Sequence, residues 1–411
     1  MMLMVGDRRA RPIVFLILCS VLVSLLNIAA VRAAEDYWVT KESMQQARSD
    51  LGVVAVNGKI YAIGGNTENG YIPNSRENDY KALGWIVAAN EEYDPSTDTW
   101  TFKKPMPTPR CNFGVAVYQN KIYCIGGIVN RFSGQISYTA VNEVYDSATD
   151  TWETKTPMPN ATSAQANLVD GKIYLIGGGS NGTLNQAYDP VTDTWTIKEP
   201  MPVAIGIDNP PPNTLSTLIS TVVDDKIYVM SFKFLWDKWT TKIGIYNPRN
   251  DSWSIRESSP SSFPEEGNWW SQAAGATTGV MAAEQIYVFF GRYPSYSTLV
   301  PNLAYEPSTD PWTVAAAVPT YRQNFGVTVL NDTLYVIGGR SYEYPFSSDN
   351  YFYVTEEAVN EQYTPIGYIP EFPSWIILPL VITATLVAVI YKKRLNKKLS
   401  NQQNSFILGS Y

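Results

Sequence analysis

The sequence predicts an all-β chain built from six copies of one strand pattern, and three observations carry that reading. The composition is the first: 27 Gly, 27 Pro, 27 Tyr and 12 Trp with 17% charged residues suits many short strands joined by tight turns. The second is an apolar motif that recurs six times: KIYAIGG from Lys59, KIYCIGG from Lys121, KIYLIGG from Lys172, KIYVMSF from Lys226, QIYVFFG from Gln285 and TLYVIGG from Thr333. The third is a Tyr and a Trp seven residues apart after each of the first five copies. These pairs are Tyr93 and Trp100, Tyr145 and Trp152, Tyr188 and Trp195, Tyr246 and Trp253, and Tyr305 and Trp312.

Each element has a local reason. Ile60 to Ile63 is apolar at consecutive positions, which marks a strand buried on both faces. Asn57-Gly58 and Asp170-Gly171 just before such strands are strong hairpin signals. The pairs Gly64-Gly65, Gly126-Gly127, Gly177-Gly178 and Gly338-Gly339 end the strand where the backbone needs positive φ or close packing. Ser231-Phe232 and Phe290-Gly291 replace the diglycine in the fourth and fifth repeats, which are therefore expected to be irregular. The run Asp94-Pro95 through Asp98 turns the chain, its Asp side chains capping backbone N–H groups. Two carboxylates per turn are too few for calcium, so no metal and no cofactor is expected. Tyr363 has no Trp after it, and Trp38 has no Tyr before it: the missing half of the last repeat stands at the start of the chain.

These residues resemble the kelch family, whose repeat is a four-stranded sheet with a diglycine after its second strand and a Tyr and Trp on its third and fourth. The resemblance implies a six-bladed kelch-type β-propeller over residues 34–368. In it Tyr37 to Thr40 supplies the outermost strand of the blade whose other strands run from about Asn324 to Tyr363. Closure of that kind removes the free edges of an open array.

Both ends of the chain are apolar. Arg8, Arg9 and Arg11 precede an apolar run from Ile13 to Val31 and small residues at Ala33-Ala34, the layout of a signal peptide over 1–33 or of an uncleaved signal anchor. Trp375 to Tyr391 carries no charge and meets Lys392-Lys393-Arg394, which predicts a transmembrane helix over 375–391 and a basic cytoplasmic tail over 392–411. The linker 369–374, with Pro370-Glu371-Phe372-Pro373, resembles the PEF-type sorting signals of archaeal surface proteins, although the tail beyond the span departs from that pattern. The expected location is the cell membrane, with the propeller outside as a monomeric ectodomain. Sequons at Asn160, Asn181, Asn250 and Asn331 would admit glycans there.

The chain has no histidine, so Ser-His-Asp and Cys-His catalysis and His-bound metals are excluded. Cys111 and Cys124 are read as buried small hydrophobes on neighbouring strands, four positions out of register. Residues 34–391 hold 22 Lys and Arg against 37 Asp and Glu, about −15, which argues against nucleic acid as a partner. Binding is expected on the face of the variable loops, where Trp85, Arg292, Tyr293, Arg340 and Tyr342 are candidate contacts. Arg48, Arg110 and Arg322, each four residues before a Gly, are expected to ring the channel mouth and hold an anionic group. The competing expectation is that each pairs with a local carboxylate or carbonyl. Function is thus read as a binding or adhesion module for glycans or protein segments. The alternatives are a scaffold of an envelope complex and a carbohydrate-active enzyme, similar to sialic acid epimerases, using Arg and Glu.

Overall fold

Six four-stranded antiparallel sheets follow one another along the chain in the computed structural model. It describes residues 36–368 except 68, 74–84, 133–134, 179–181, 204, 206–217, 236–237, 259, 261–271, 279, 292–301 and 344–350, and beyond them Ile390, Lys392 and Lys393. The signal segment, the linker 369–374, most of the span 375–391, Asn181, Arg292 and Tyr293 lie outside the described residues. Among the described residues no helix is long and apolar enough to cross a membrane.

In the first blade Gly52–Val56, Lys59–Ile63, Asn90–Asp94 and Thr99–Lys103 pair in sequence order. The second, third, fourth and fifth blades repeat that order from Gly114, Gln165, Ile219 and Gln272. The sixth departs from it as the sequence anticipates. Gly326–Leu330, Thr333–Ile337 and Asn360–Thr364 are completed by Tyr37–Lys41 from the other end of the chain, with Trp38 opposite Tyr363.

Burial follows the motif. The second strands are almost wholly buried, as in KIYAI, where only Lys59 is partly exposed. Six apolar clusters fill the junctions between adjacent sheets. The one between blades one and two, for instance, joins Tyr61 and Ile63 to Ile122, Cys124 and Tyr145. Cys111 and Cys124 are free and buried, and burial pushes the Cys124 thiol up to about 12.

The diglycine is required by space as well as by φ. Gly64 lies at φ +60 and a Cβ there would meet the Arg110 carbonyl oxygen at 2.5 Å. Where Ser231-Phe232 stands instead, the strand does not stop. Lys226–Leu235 and Lys238–Asn247 run on as a hairpin of two ten-residue strands, and Phe232 packs edge-on against Phe290 at 5.5 Å and Trp312 at 6.0 Å.

The Asp two residues before each Trp joins blade to blade. Asp98 accepts from Tyr93 Oη at 2.6 Å and from the Glu42 N–H at 2.9 Å, while Trp100 Nε1 donates to the Glu42 carbonyl at 2.7 Å. Lys104 receives the same two-point grip from Asp150 and Trp152, Thr156 from Asp193 and Trp195, and Glu199 from Asp251 and Trp253. Each gripped residue lies just past the outer strand of the preceding blade, where sheet twist brings one outer strand to the start of the next. In blade five Trp312 donates to the Ser258 hydroxyl instead. The sixth grip crosses the closure: Asp36 accepts from Tyr363 Oη at 2.8 Å and the Ala316 N–H at 2.7 Å, and Trp38 donates to the Ala316 carbonyl at 3.0 Å.

Replacing Asp36 with Ala removes two hydrogen bonds to a carboxylate, and a loss of about 2–4 kcal/mol is expected. Urea denaturation measures it, and hydrogen exchange should quicken first in Tyr37–Lys41. High pH tests the same grip. Burial, then the bond to Asp, raises the phenols of Tyr93, Tyr145, Tyr188 and Tyr246 above their ordinary value. The stability they contribute is therefore complete below about pH 10 and falls as pH rises further, because the unfolded chain ionises its tyrosines first. Part of the tyrosinate absorbance near 295 nm should appear only together with loss of the folded state; ionisation of all the tyrosines before unfolding would contradict it.

Candidate functional site

Second strands end, and third strands begin, on a side with long unequal loops; the Asp turns lie on the other. The loop side holds the candidate site. After Gly65 the chain forms Asn66–Thr67, Asn69–Pro73 and Trp85–Ile86, and after Gly339 it forms Arg340–Glu343 and Tyr351–Glu356. Tyr351–Glu356 pairs with Arg340–Glu343 on one side and with Asn69–Pro73 on the other, so one three-stranded sheet spans the loops of blades six and one. It ties the loop side across the same junction that Tyr37–Lys41 closes on the periphery. Tyr342 lies in this sheet. The pairing of residues some 280 positions apart leaves no periodic signal, and the sequence reading missed it.

The three arginines do not ring an open mouth. Arg48, Arg110 and Arg322 are 0%, 0% and 1% exposed. Arg48 donates to Glu91 at 2.8 Å, Arg110 to Glu143 at 2.6 Å and Arg322 to Glu361 at 2.5 Å. Other N–H groups of the three donate to carbonyls: Arg48 to Gly64 and Ala62, Arg110 to Cys124 and Thr108, Arg322 to Gly338, Val336 and Thr320, while Arg110 Nε is buried without a hydrogen-bond partner. Burial pulls Arg48 and Arg322 below their ordinary value, and the partner glutamates oppose the shift. The expectation of an exposed anion clamp is therefore corrected. A guanidinium buried against its own glutamate and strand-end carbonyls organises the end of the second strand and presents no face to a ligand.

A signal for this pairing was present. Glu91, Glu143 and Glu361 stand two residues before the repeat Tyr, in the same three blades that carry Arg. In blade three the position holds Gln186, which bonds Asn160; in blades four and five it holds Gly244 and Leu303.

Of the other candidates, Arg340 is 7% exposed and donates to Asp50 at 3.0 Å, and Asp50 also accepts from the Asn324 side chain at 2.5 Å. The Asp50 N–H donates to the Asn324 carbonyl and the Asn112 N–H to the Asp50 carbonyl, both at 2.8 Å. Blades six, one and two are thus stitched around the channel end, with Asp50, Asn112 and Asn324 all at positive φ. Trp85 is the open candidate: it is 83% exposed, opposite Thr67 in a two-residue ladder. Among the described residues no group of three or more acidic or Cys side chains could hold a metal ion. Asn160, Asn250 and Asn331 are exposed, and the Asn250 side-chain oxygen accepts from the Ser252 hydroxyl.

Four-stranded blades closed by Tyr37–Lys41, with divergent loops on one side, define a β-propeller. The Kelch motif model matches residues 47–78 and 109–159, within the first two blades and the loops entering them. Kelch repeat and BTB domain-containing protein 12 of Homo sapiens is 36% identical over 152 residues, 35% of this chain and 23% of that protein. The Influenza virus NS1A-binding protein homolog of Mus musculus is 40% identical over 84 residues, 20% of this chain and 11% of its own length. The matches thus span under a quarter of these relatives. The solved structure of YjhT superposes with a TM-score of 0.52 at 13% identity, over 77% of this chain and 95% of that one, a likeness of fold. The chain is a β-propeller of six blades, and Kelch motifs are matched in its first two.

Glu143→Ala leaves the Arg110 charge buried and unmatched, and a loss of about 3–5 kcal/mol is expected. The double variant Arg110→Met with Glu143→Leu should recover at least half of that loss, about 2 kcal/mol, in the same denaturation assay. A single variant as stable as the parent would mean that the pair is not closed to solvent.

Proposed function

We propose that this chain is a cell-surface binding module. The apolar segment 375–391 holds it in a membrane, residues 34–368 stand outside, and the loop side takes a protein partner. The observation that carries the reading is the contrast between the two sides. The turn side repeats one Asp-Tyr-Trp pattern blade after blade, whereas the loop side differs in every blade and exposes Trp85. A lone indole with most of its surface in water contributes nothing to the fold at that edge, and it is the side chain that most often anchors a protein interface.

The ends of the described propeller lie away from the loop side. Asp36 bonds Thr364 through its backbone, and Tyr368 turns back on Pro365 and reaches Met281 in the turn region of blade five. Asp36 and Tyr368, the first and last described residues of the propeller, both lie at its turn side, opposite the loops. The mouse relative, a homologue of a protein named for binding another protein, is in keeping with a protein ligand. Arg/Glu catalysis of the epimerase kind has no support from Arg48, Arg110 and Arg322, which are sealed with their glutamates.

Two measurements on the full-length chain test this. On intact cells, added protease should cut residues 34–368 and spare an epitope placed after Lys398. Crosslinked partners captured through the parent chain should fall about tenfold with Trp85→Ala at unchanged melting temperature. Capture unaffected by that substitution, or enrichment of glycans alone on an array, would overturn the assignment of a protein ligand to the loop side.

A further inference from the structure

The turn side breaks its own rule at one place. In blades one, two and three the lysine opening the second strand pairs with the carboxylate that follows the repeat Tyr: Lys59 with Asp94, Lys121 with Asp146 at 3.1 Å, Lys172 with Asp189 at 3.8 Å. Blades five and six have Gln285 and Thr333 in place of the lysine, so no cation arises there. Blade four keeps the lysine as Lys226 and replaces the carboxylate with Asn247. Lys226 consequently has no ion pair among the described residues. The neighbouring Asp225 is already bonded to Arg249 at 2.7 Å.

A cavity of about 250 Å³ opens where that pair is broken. Lys226, Tyr228, Asn247, Ser252, Ser254 and Arg256 supply its polar lining, two cations and four neutral hydrogen-bonding groups, with no carboxylate among the described residues of its wall. Arg256 is held in place through Nη1, which donates to Tyr305 Oη and to the Pro307 carbonyl at 3.0 Å and lies 3.6 Å from Asp310. These contacts all fall on Nη1 and come from blade five. Burial raises the Tyr228 phenol and Arg256 opposes the shift, while Asp224 and Glu284 act on it from outside the wall.

We propose that this blade-four cavity is a second ligand site, separate from the loop side, and that it takes a carboxylate-bearing monosaccharide. The carboxylate would sit between Lys226 and Arg256, and the sugar hydroxyls would meet Asn247, Ser252, Ser254 and Tyr228. The cavity, at about 250 Å³, lies just below the ~300 Å³ at which drug-sized pockets begin, which suits a ligand no larger than one sugar ring. A single negative charge suits the site better than phosphate, because residues 34–391 carry about −15 and repel multiply charged anions. The internal repeats supply the control, since the equivalent lysine in three other blades is neutralised by a carboxylate from the chain itself.

Calorimetric titration of the full-length chain with glucuronate, glucose and sulfate tests the proposal. Glucuronate should bind about tenfold more tightly than either glucose or sulfate, and Lys226→Ala or Arg256→Met should each weaken it about tenfold. The decisive variant is Asn247→Asp. It restores the lysine–carboxylate pair of the first three blades, so it should fold with a melting temperature no lower than the parent and lose glucuronate binding. Binding that survives Asn247→Asp, or no binding of glucuronate by the folded parent, would overturn the site. Sulfate binding as tight as glucuronate with none of glucose would overturn the sugar-acid assignment. Loop-side capture through Trp85 is read separately, so either proposal can fail while the other stands.

Discussion

The carboxylate of Asp98 accepts the Glu42 N–H while Trp100 donates to the Glu42 carbonyl, and this grip on one peptide of the neighbouring blade recurs around the ring. A four-stranded sheet with both faces apolar has no stable existence alone; it persists only when sheets press on each side. Apolar contact between blades is non-directional and would tolerate sliding. The two-point grip fixes the angle and height at which each blade meets the next, since N–H and C=O of one residue must both be met. The Tyr hydroxyl bonded to the same Asp ties that fixed point to the third strand, so registry passes from the periphery into the sheet.

The closure is the most exacting instance. Asp36 and Trp38 come from one end of the described chain, Tyr363 from the other, and Ala316 from the blade between. A ring built of nearest-neighbour contacts has no terminal blade to fray once this junction is made, and two if it is not. The second tie, the sheet formed by Asn69–Pro73, Arg340–Glu343 and Tyr351–Glu356, crosses the same junction on the loop side. Closure is thus held at the periphery and above the channel end together. That accounts for the distribution of polar bonds such as Arg340 to Asp50, which are concentrated where blades six and one meet.

Much of this was legible in the sequence, for a physical reason: the residues that specify a blade are local and periodic. Trp38 and Tyr363 were recognised as two halves of one repeat, and the register places them opposite each other. Asp36 stands two residues before Trp38 as Asp98 does before Trp100, so the closing grip was also written there, though only the Trp was read. The arginines show where such reading goes astray. Arg is a surface residue by habit, and placing it near the channel end suggested a ligand. Its glutamate, some forty residues away, occurs in the same blades, and the pair is internal. The cross-blade sheet and the long blade-four hairpin left less trace, because they depend on pairings between loops, or on a strand that continues when its diglycine is missing.

The repeat also gives a way of separating function from architecture within one chain. A residue present in every blade is explained by the ring, as Tyr, Trp and the gripping Asp are. A residue that departs from the pattern and is compensated, as Gln186 with Asn160 stands in for Glu with Arg, is still explained by the ring. What the ring does not explain is a departure that leaves a cost standing. Trp85 leaves an indole in water on the loop side, and Asn247 leaves the Lys226 ammonium unmatched on the turn side. Nothing in the packing of the sheets requires either, since the equivalent positions in other blades are satisfied without them. Uncompensated departures of this kind are where a partner outside the chain best accounts for the residue, one on each side of the propeller.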